Sequence, residues 1–449
     1  MSTTCEAWLG IDIGTLSAKA ALIDSRGELI AVGRAGYALE SQAPGWAETP
    51  PHAWWEAAAS ATRQALDAAE SDRNTRVVAL GLSGQMHGVV LCRADGEPVR
   101  NAVTWADSRA AIELDAYESL GDEMLRGLAN APAPGLAGPI LLWLQRRERD
   151  LTGSARWALQ PKDWLRLRLT GEAAAEPSDA SATLLFHVEQ DRWYQEAAES
   201  LGIDTGLLAP LVASDSVAGR LLPGAAAEFG LPAGLPVVAG AADTAASAVG
   251  NELAPGDVHL TIGSGAQLAA LLPEYAPPAA GADVFRSAAP RGWYHLLPIH
   301  NAGIALEWAL KTLGLSWAEA YALASTVAPG AEGLRFTPLL SSERAVERGP
   351  AGRGAWTGIG LHHQHAHLIR AALEGVAELI GTGLRQLEAA GLARGRLVLG
   401  GGGTGEALWG EMLTASLGRQ PTLAPRPAAS ARGAAVLAQR ATHSGRSGG

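Results

Sequence analysis

Two cysteines in 449 residues, Cys5 and Cys92, are too few for a disulfide framework or a zinc cluster. Positive charge is also short: 35 Lys plus Arg stand against 46 Asp plus Glu, a formal net charge of -11. A surface of that sign repels nucleic acid and anionic membrane. A phosphate-bearing ligand would need local help from backbone N–H groups, a helix N-terminus or a divalent cation. Every apolar run is broken by Gly, Pro or charge before the roughly 18 residues that a membrane span needs. The opening MSTTCEAWLGIDIGT lacks the basic region and long apolar stretch of a signal peptide. These absences set the expectation of a soluble, cytoplasmic protein with no membrane or nucleic-acid partner.

Apolar residues are plentiful at 47%, against 18% charged. A chain of this length suits two domains of roughly 200 residues each. The boundary is expected near Leu235, giving domains over 1–235 and 236–449. AWLGIDIGTLSAKAALIDSRGELIAVGRAGYAL reads as three strands joined by turns at Gly14-Thr15 and at Asp24–Gly27. Thr49-Pro50-Pro51 reads as a helix start, and RVVALGLSG as a buried strand. A hairpin is expected around Ala94–Gly96, its second strand ending near Trp105. The second half repeats the opening pattern: LPVVAGAADTAASAVG gives strand, turn and helix, and GDVHLTIGSGAQLAALL gives strand, Gly-rich turn and strand. Ile369, Leu373, Val376, Ile380, Leu384 and Leu387 recur at helical spacing, as one buried stripe. The Pro- and Ala-rich tail is expected to fray.

Two Gly-rich turns in matching positions can hold a polyphosphate. At Asp12-Ile13-Gly14-Thr15, Gly14 lets backbone N–H groups approach phosphate oxygens and Thr15 adds a hydroxyl. Asp12 is placed to hold a hydrated Mg²⁺, which needs only one or two carboxylates. Gly263-Ser264-Gly265 is the matching loop, although an ordinary hairpin turn would also use these residues. Asp243 follows a buried strand among small residues; it can cap a helix, serve as base for a sugar hydroxyl, or do both. Gln85-Met86-His87-Gly88 and Trp105–Arg109 sit at strand ends where a sugar could find donors and acceptors. The bland alternatives are a core histidine and an ion pair. The spacing does not give GxGxxG followed by an acidic residue, and GxxxxGK[ST] does not occur, so Gly400–Gly403 reads as flat backbone for an adenine ring. His362, His363, His365 and His367 lack supporting ligands and are set aside as a metal site, and most of the 14 tryptophans are assigned to core or interface.

Nine strings in one order resemble the FGGY carbohydrate kinases, and within them the bacterial xylulokinases: GIDIGT, GWAETPPHAWW, LGLSGQMHG, WADSR, LQPKDWLRLRLTGE, AEPSDASAT, VVAGAADTAASAVG, LTIGSGA and LVLGGGGTGEALW. The resemblance runs from about Ala7 to about Ala438. It implies an α/β fold of two actin/hexokinase-like (ribonuclease H-like) domains, with the active site in the cleft between them. It also implies ATP-dependent, in-line phosphorylation of D-xylulose to D-xylulose 5-phosphate. Asp243 would be the base. Gln85, Met86, His87, Asp107 and Asp243 would contact the sugar. Gly14, Thr15, Gly263, Ser264 and Gly265 would bind phosphate, Gly401, Gly402, Gly403 and Thr404 would bind adenosine, and Asp12 the Mg²⁺. A homodimer is one assembly open to such a protein.

The sequence departs from the family pattern at Ser341–Val346, where SGERTP is frequent, and at Thr244, where Asn or Gln often follows the base. Ala106 replaces an Asn, and Glu406 a Ser or Asn. These changes bear on sugar choice more than on catalysis, leaving a kinase of another ketopentose or polyol as the alternative. From other classes come a binding protein that has lost transfer and a chaperone-like ATPase. Intact Asp243 opposes the first, and QMHG the second.

Overall fold

The computed structural model describes residues 5–70, 75–279, 281–289, 292–340, 353–401, 405–424 and 427–444. The chain forms two units: Met1–Glu252 with Phe285–Gly292 and Arg426–Gly449, and Leu253–Val284 with Trp293–Pro425.

The first unit is built on a mixed sheet with strand order Val217–Arg220, Pro236–Val238, Thr75–Gly84, Cys5–Ile13, Ser17–Ile23 and Leu29–Gly36. Cys5–Ile13 runs antiparallel to Ser17–Ile23 and parallel to Thr75–Gly84. The two-residue strand Ala241–Ala242 joins the same neighbour in parallel, with Ala242 opposite Gly84. Ile13, Gly84 and Ala242 thus mark the carboxyl ends of three parallel strands, where ligands of α/β sheets gather. Helix Pro51–Glu70 starts on its proline as expected, and packs so closely that a Cβ on Gly33 would stand 2.0 Å from Ala61 O.

The second unit repeats the scheme. Val258–Ile262 pairs antiparallel with Ala266–Leu272 and parallel with Leu397–Gly401, setting Ile262 opposite Gly401. Helix His365–Ala389 buries all six residues of the expected stripe, from Ile369 to Leu387.

Two expectations are corrected. The division does not fall near Leu235: Pro236–Val238 and Ala241–Ala242 pair with Thr75–Gly84, so Asp243 lies in the first unit. Among the described residues the tail does not fray: Ala429–Ser444 is a helix lying on the first sheet. Glycines make that approach possible, since a Cβ on Gly10 or Gly81 would stand 1.9 Å from the backbone oxygens of Ala431 and Ala434. Arg432 then anchors the helix to Gly27 O at 2.9 Å and Glu252 at 2.7 Å. The hairpin around Ala94–Gly96 is present, with Arg93 N–H donating to Glu97 O at 2.9 Å and Val89 bridging antiparallel to Val103, and Val90–Cys92 pairs also with Trp157–Leu159.

Candidate active site

The first turn holds its shape through Gly14 N–H, which donates to Ser17 O at 3.1 Å, and through the Tyr37 hydroxyl, which donates to Gly14 O. Trp105 Nε1 donates to Thr15 Oγ1 at 3.0 Å, fixing that hydroxyl beside an exposed indole. Asp12, next to the turn, is buried, and its Oδ1 has no hydrogen-bond partner among the described residues. Burial raises its pKa, and the Lys19 ammonium works against that rise. Lys19 stands directly opposite Asp12 across the hairpin.

Asp243 opens helix Asp243–Gly250 immediately after Ala241–Ala242. Ala242 is the capping residue, so the carboxylate is not the N-cap. Its Oδ1 accepts from Thr244 N at 2.6 Å and Thr244 Oγ1 at 3.1 Å, and nothing among the described residues bonds Oδ2. Burial, then the Asp12 charge, push its pKa up to about 6, overcoming the Thr244 bonds and Lys19. A carboxylate with one free oxygen and a pKa near neutrality can take a proton from a bound hydroxyl.

Gln85 N–H donates to Ile13 O at 2.7 Å, which brings the sugar-type string to the same strand ends. Its side-chain Nε2 and Oε1 are both buried with no partner among the described residues. Buried amides are rarely left so, and this one offers a donor and an acceptor to a hydroxylated ligand. Met86 is buried beside it. His87 adopts φ +72°, an uncommon backbone for a residue with a side chain. It is held there by Gln160 Oε1, which accepts its N–H at 2.9 Å, and by a 2.8 Å contact of ring Nδ1 with Ala182 O.

In the second unit, Gly263 N–H donates to Gly265 O at 2.7 Å and Ile304 N–H to Ser264 O at 2.8 Å. A Cβ on Gly303 would stand 2.2 Å from Gly263 O, so the loop lies against the N-terminus of helix Gly303–Leu313, which favours anions. Gly401 has φ +96° and no room for a Cβ, which would approach Ile262 O to 2.2 Å. Gly402, Gly403 and Thr404 lie outside the described residues, as does Ser341–Val346. A 650 Å³ groove beside Gly401 is lined by Leu399, Gly405, Glu406, Trp409 and Leu423.

Residues 7–250 match the N-terminal domain of the FGGY family of carbohydrate kinases, and residues 259–442 its C-terminal domain. The chain belongs to the FGGY family of carbohydrate kinases. It is 34% identical over 419 residues to a xylulose kinase of Escherichia coli, covering 92% of this chain and 85% of that protein. A solved "xyloylose kinase" from Brucella ovis superimposes with TM-score 0.90 at 32% identity, covering 98% of this chain and 91% of that one. A xylulose kinase from Rhodospirillum rubrum gives TM-score 0.88 at 29% identity, covering 96% and 89%. The fold is therefore the two-domain actin/hexokinase type of the FGGY kinases, and the protein is a sugar kinase that uses ATP.

Within this FGGY kinase, one expected sugar contact is otherwise engaged. Asp107 is buried and forked onto Arg109, with Nε to Oδ1 at 2.9 Å and Nη2 to Oδ2 at 2.7 Å. It also accepts from Ala47 N at 2.6 Å, and Arg109 reaches Glu48 at 2.6 Å. The ion pair, not a hydroxyl ligand, satisfies this carboxylate. The histidines gather round Glu332, with His362 Nε2 at 3.5 Å and His367 Nε2 at 3.7 Å. Yet Nδ1 of His363 and of His367 each accepts a backbone N–H, from Gly360 and Gln364. That leaves the proton of each neutral ring on Nε2, a donor rather than a metal ligand. Among the described residues no cluster of three His, Cys, Asp or Glu can hold a metal, and no helix is long and apolar enough to cross a membrane. Sequence reasoning missed Lys19, although the register of the first hairpin was enough to place it beside Asp12.

Proposed function

We propose that this FGGY kinase phosphorylates D-xylulose on its terminal hydroxyl, giving D-xylulose 5-phosphate and ADP. The observation that carries the reading is the meeting of Asp12, Lys19, Gln85 and Asp243 around the carboxyl ends of three parallel strands. There, Asp243, with one free oxygen, follows Ala242, and Gln85, whose buried amide has no partner among the described residues, follows Gly84, the residue opposite Ala242.

Met86, His87 and the Gln85 amide bind the ketose and direct its terminal hydroxyl at Asp243. The hydroxyl oxygen forms a bond to the γ-phosphorus as the bond from that phosphorus to the β-phosphate bridging oxygen breaks, and ADP leaves with the electron pair. Asp243 Oδ2 takes the hydroxyl proton. A base near pKa 6 is ionised at neutral pH and still basic enough to help. Lys19 and the Gly14-Thr15 turn offer the phosphates a cation and a hydroxyl, and the Gly263–Gly265 loop at its helix N-terminus is a second phosphate-binding element. Gly401 through Thr404 and the groove beside Gly401 accept the adenosine.

Asp12 fits Mg²⁺, since a buried carboxylate oxygen without a partner suits a cation that keeps its waters and shares phosphate oxygens. Mg²⁺ bound there would neutralise phosphate charge. We assign the reaction to the cytoplasm, where ATP is supplied.

The test is ADP release with Mg²⁺-ATP across a panel of ketoses and polyols. Turnover centred on D-xylulose is the expected result. Turnover centred on another sugar would keep the chemistry and move the specificity, the outcome that Thr244 and Ala106 favour. ATP binding with no turnover on any sugar would leave a degenerate binding protein.

A further inference from the structure

Behind the candidate site lies a buried ionic cluster: Lys162, Asp163, Arg166, Glu176 and Asp179, with Ser178 among them. Lys162 Nζ lies 2.7 Å from Asp163, 3.1 Å from Glu176 and 3.0 Å from Asp179. Arg166 Nη1 donates to Asp163 at 2.9 Å and to Ala239 O at 3.0 Å. Three carboxylates and two cations buried together are costly, and apolar residues of equal volume would often stabilise a core as well. What the cluster holds is therefore informative.

Two polar arms leave it toward the site. Gln160 Nε2 donates to Asp179 O at 2.7 Å while its Oε1 accepts His87 N–H. Ser178 Oγ donates its hydrogen to Glu176 Oε1 at 2.9 Å and accepts the N–H of Ala242 at 3.0 Å. The second arm is directional. Glu176 is pinned by Ser178 N at 2.8 Å, Asp179 N at 3.0 Å and Ser214 Oγ at 2.7 Å, so it fixes the hydroxyl hydrogen and turns a lone pair toward Ala242. Ala242 immediately precedes Asp243 and ends a strand of only two residues. A strand so short has few ladder bonds of its own to set the direction in which the next side chain leaves. Without the hydroxyl, the buried N–H of Ala242 would have to seek another acceptor.

We propose that Ser178 is a positioning residue for phosphoryl transfer, holding Ala242 through its hydroxyl so that the Asp243 carboxylate keeps its aim. This rests on Asp243 being the base. Ser178→Ala, Ser178→Thr, Ser214→Ala and Asp243→Asn are assayed with the wild type for kcat and for KM toward ketose and ATP. Ser178→Ala should lower kcat roughly 10- to 100-fold, the effect of a misplaced catalytic group, and leave both KM values within about twofold. Ser178→Thr, which restores the hydroxyl, should recover most of kcat. Ser214→Ala removes another bond to the same Glu176 but none to Ala242, and should keep wild-type kcat. Wild-type kcat in Ser178→Ala, or an equal loss in Ser214→Ala, overturns the proposal. If Ser178→Ala does not fold, Ser178→Cys keeps the volume and weakens the bond, and wild-type kcat in it is equally decisive. An active Asp243→Asn removes the base and this inference together. An inactive Asp243→Asn beside a normal Ser178→Ala removes the inference alone.

Discussion

Asp243→Asn separates the chemical role of the carboxylate from its cost to the fold. Asn keeps an oxygen for Thr244 N–H and hydroxyl, which lie 2.6 and 3.1 Å from Oδ1 in the acid. What it removes is a negative charge in a poor place for one. Burial and Asp12 raise the acid from the ordinary 3.8 to about 6. Between those values the folded protein binds a proton that the unfolded chain has released, so stability falls as pH rises through that window. At 1.36 kcal/mol per pH unit the gap costs about 3 kcal/mol, and partial contact with solvent brings the expected figure to about 1–3 kcal/mol. The substitution should recover that amount above about pH 6, progressively less below it, and nothing near pH 3.8. Urea unfolding followed by tryptophan fluorescence at a series of pH values reads the effect. Turnover should meanwhile drop roughly 100- to 10,000-fold, the usual worth of a general base. A variant no more stable than wild type at neutral pH, or one whose gain ignores pH, would refute the reasoning about the charge.

Gln85→Leu removes a buried amide that has no partner, so thermal stability should hold or rise by up to about 1 kcal/mol while KM for the ketose rises about tenfold or more; lost stability with KM unchanged would assign the amide to the fold. Asp107→Ala removes one of the two carboxylates that hold the buried Arg109 guanidinium, leaving Glu48, and should cost about 1–3 kcal/mol in urea unfolding, with KM for sugar unchanged; a raised KM would return Asp107 to the sugar site. Gly81→Ala forces a methyl to 1.9 Å from Ala434 O, and the shift imposed on the closing helix should cost about 1–3 kcal/mol, read as a lower Tm. A wild-type Tm in that variant would mean the helix is more loosely seated.

Local patterns carried much of the site. Gly14-Thr15 and Gly263–Gly265 stood out as candidates because a Gly-rich turn between apolar strands, repeated in both halves, can let backbone N–H groups approach a ligand; that the N–H groups of Gly14 and Gly263 are spent within their own turns was not legible. Asp243 was visible because a carboxylate among small residues after a buried strand is conspicuous. The helix of Ile369 to Leu387 was visible from its period alone. What stayed hidden depends on residues far apart in sequence. The Asp107–Arg109 ion pair was open to a local reading, but not that Ala47 N–H and Glu48, some sixty positions earlier, complete it. The closing helix reads as a tail because Ala and Gly carry little apolar signal, and its docking depends on Gly10 and Gly81, hundreds of residues away. The boundary was misplaced for the same reason: Pro236–Val238 belongs with Thr75–Gly84, a pairing no local pattern announces. Ser178 was present only inside a recognised string, with no hint that its hydroxyl reaches Ala242.

The most direct measurement is ADP release from Mg²⁺-ATP and D-xylulose at neutral pH by the wild type and by Asp243→Asn, with ATP binding followed in both. The expected result is sugar-dependent turnover in the wild type and loss of turnover, with ATP still bound, in the variant. Comparable turnover in the two proteins would contradict Asp243 as the base, and ADP release that is indifferent to sugar in the wild type would contradict phosphoryl transfer to a ketose.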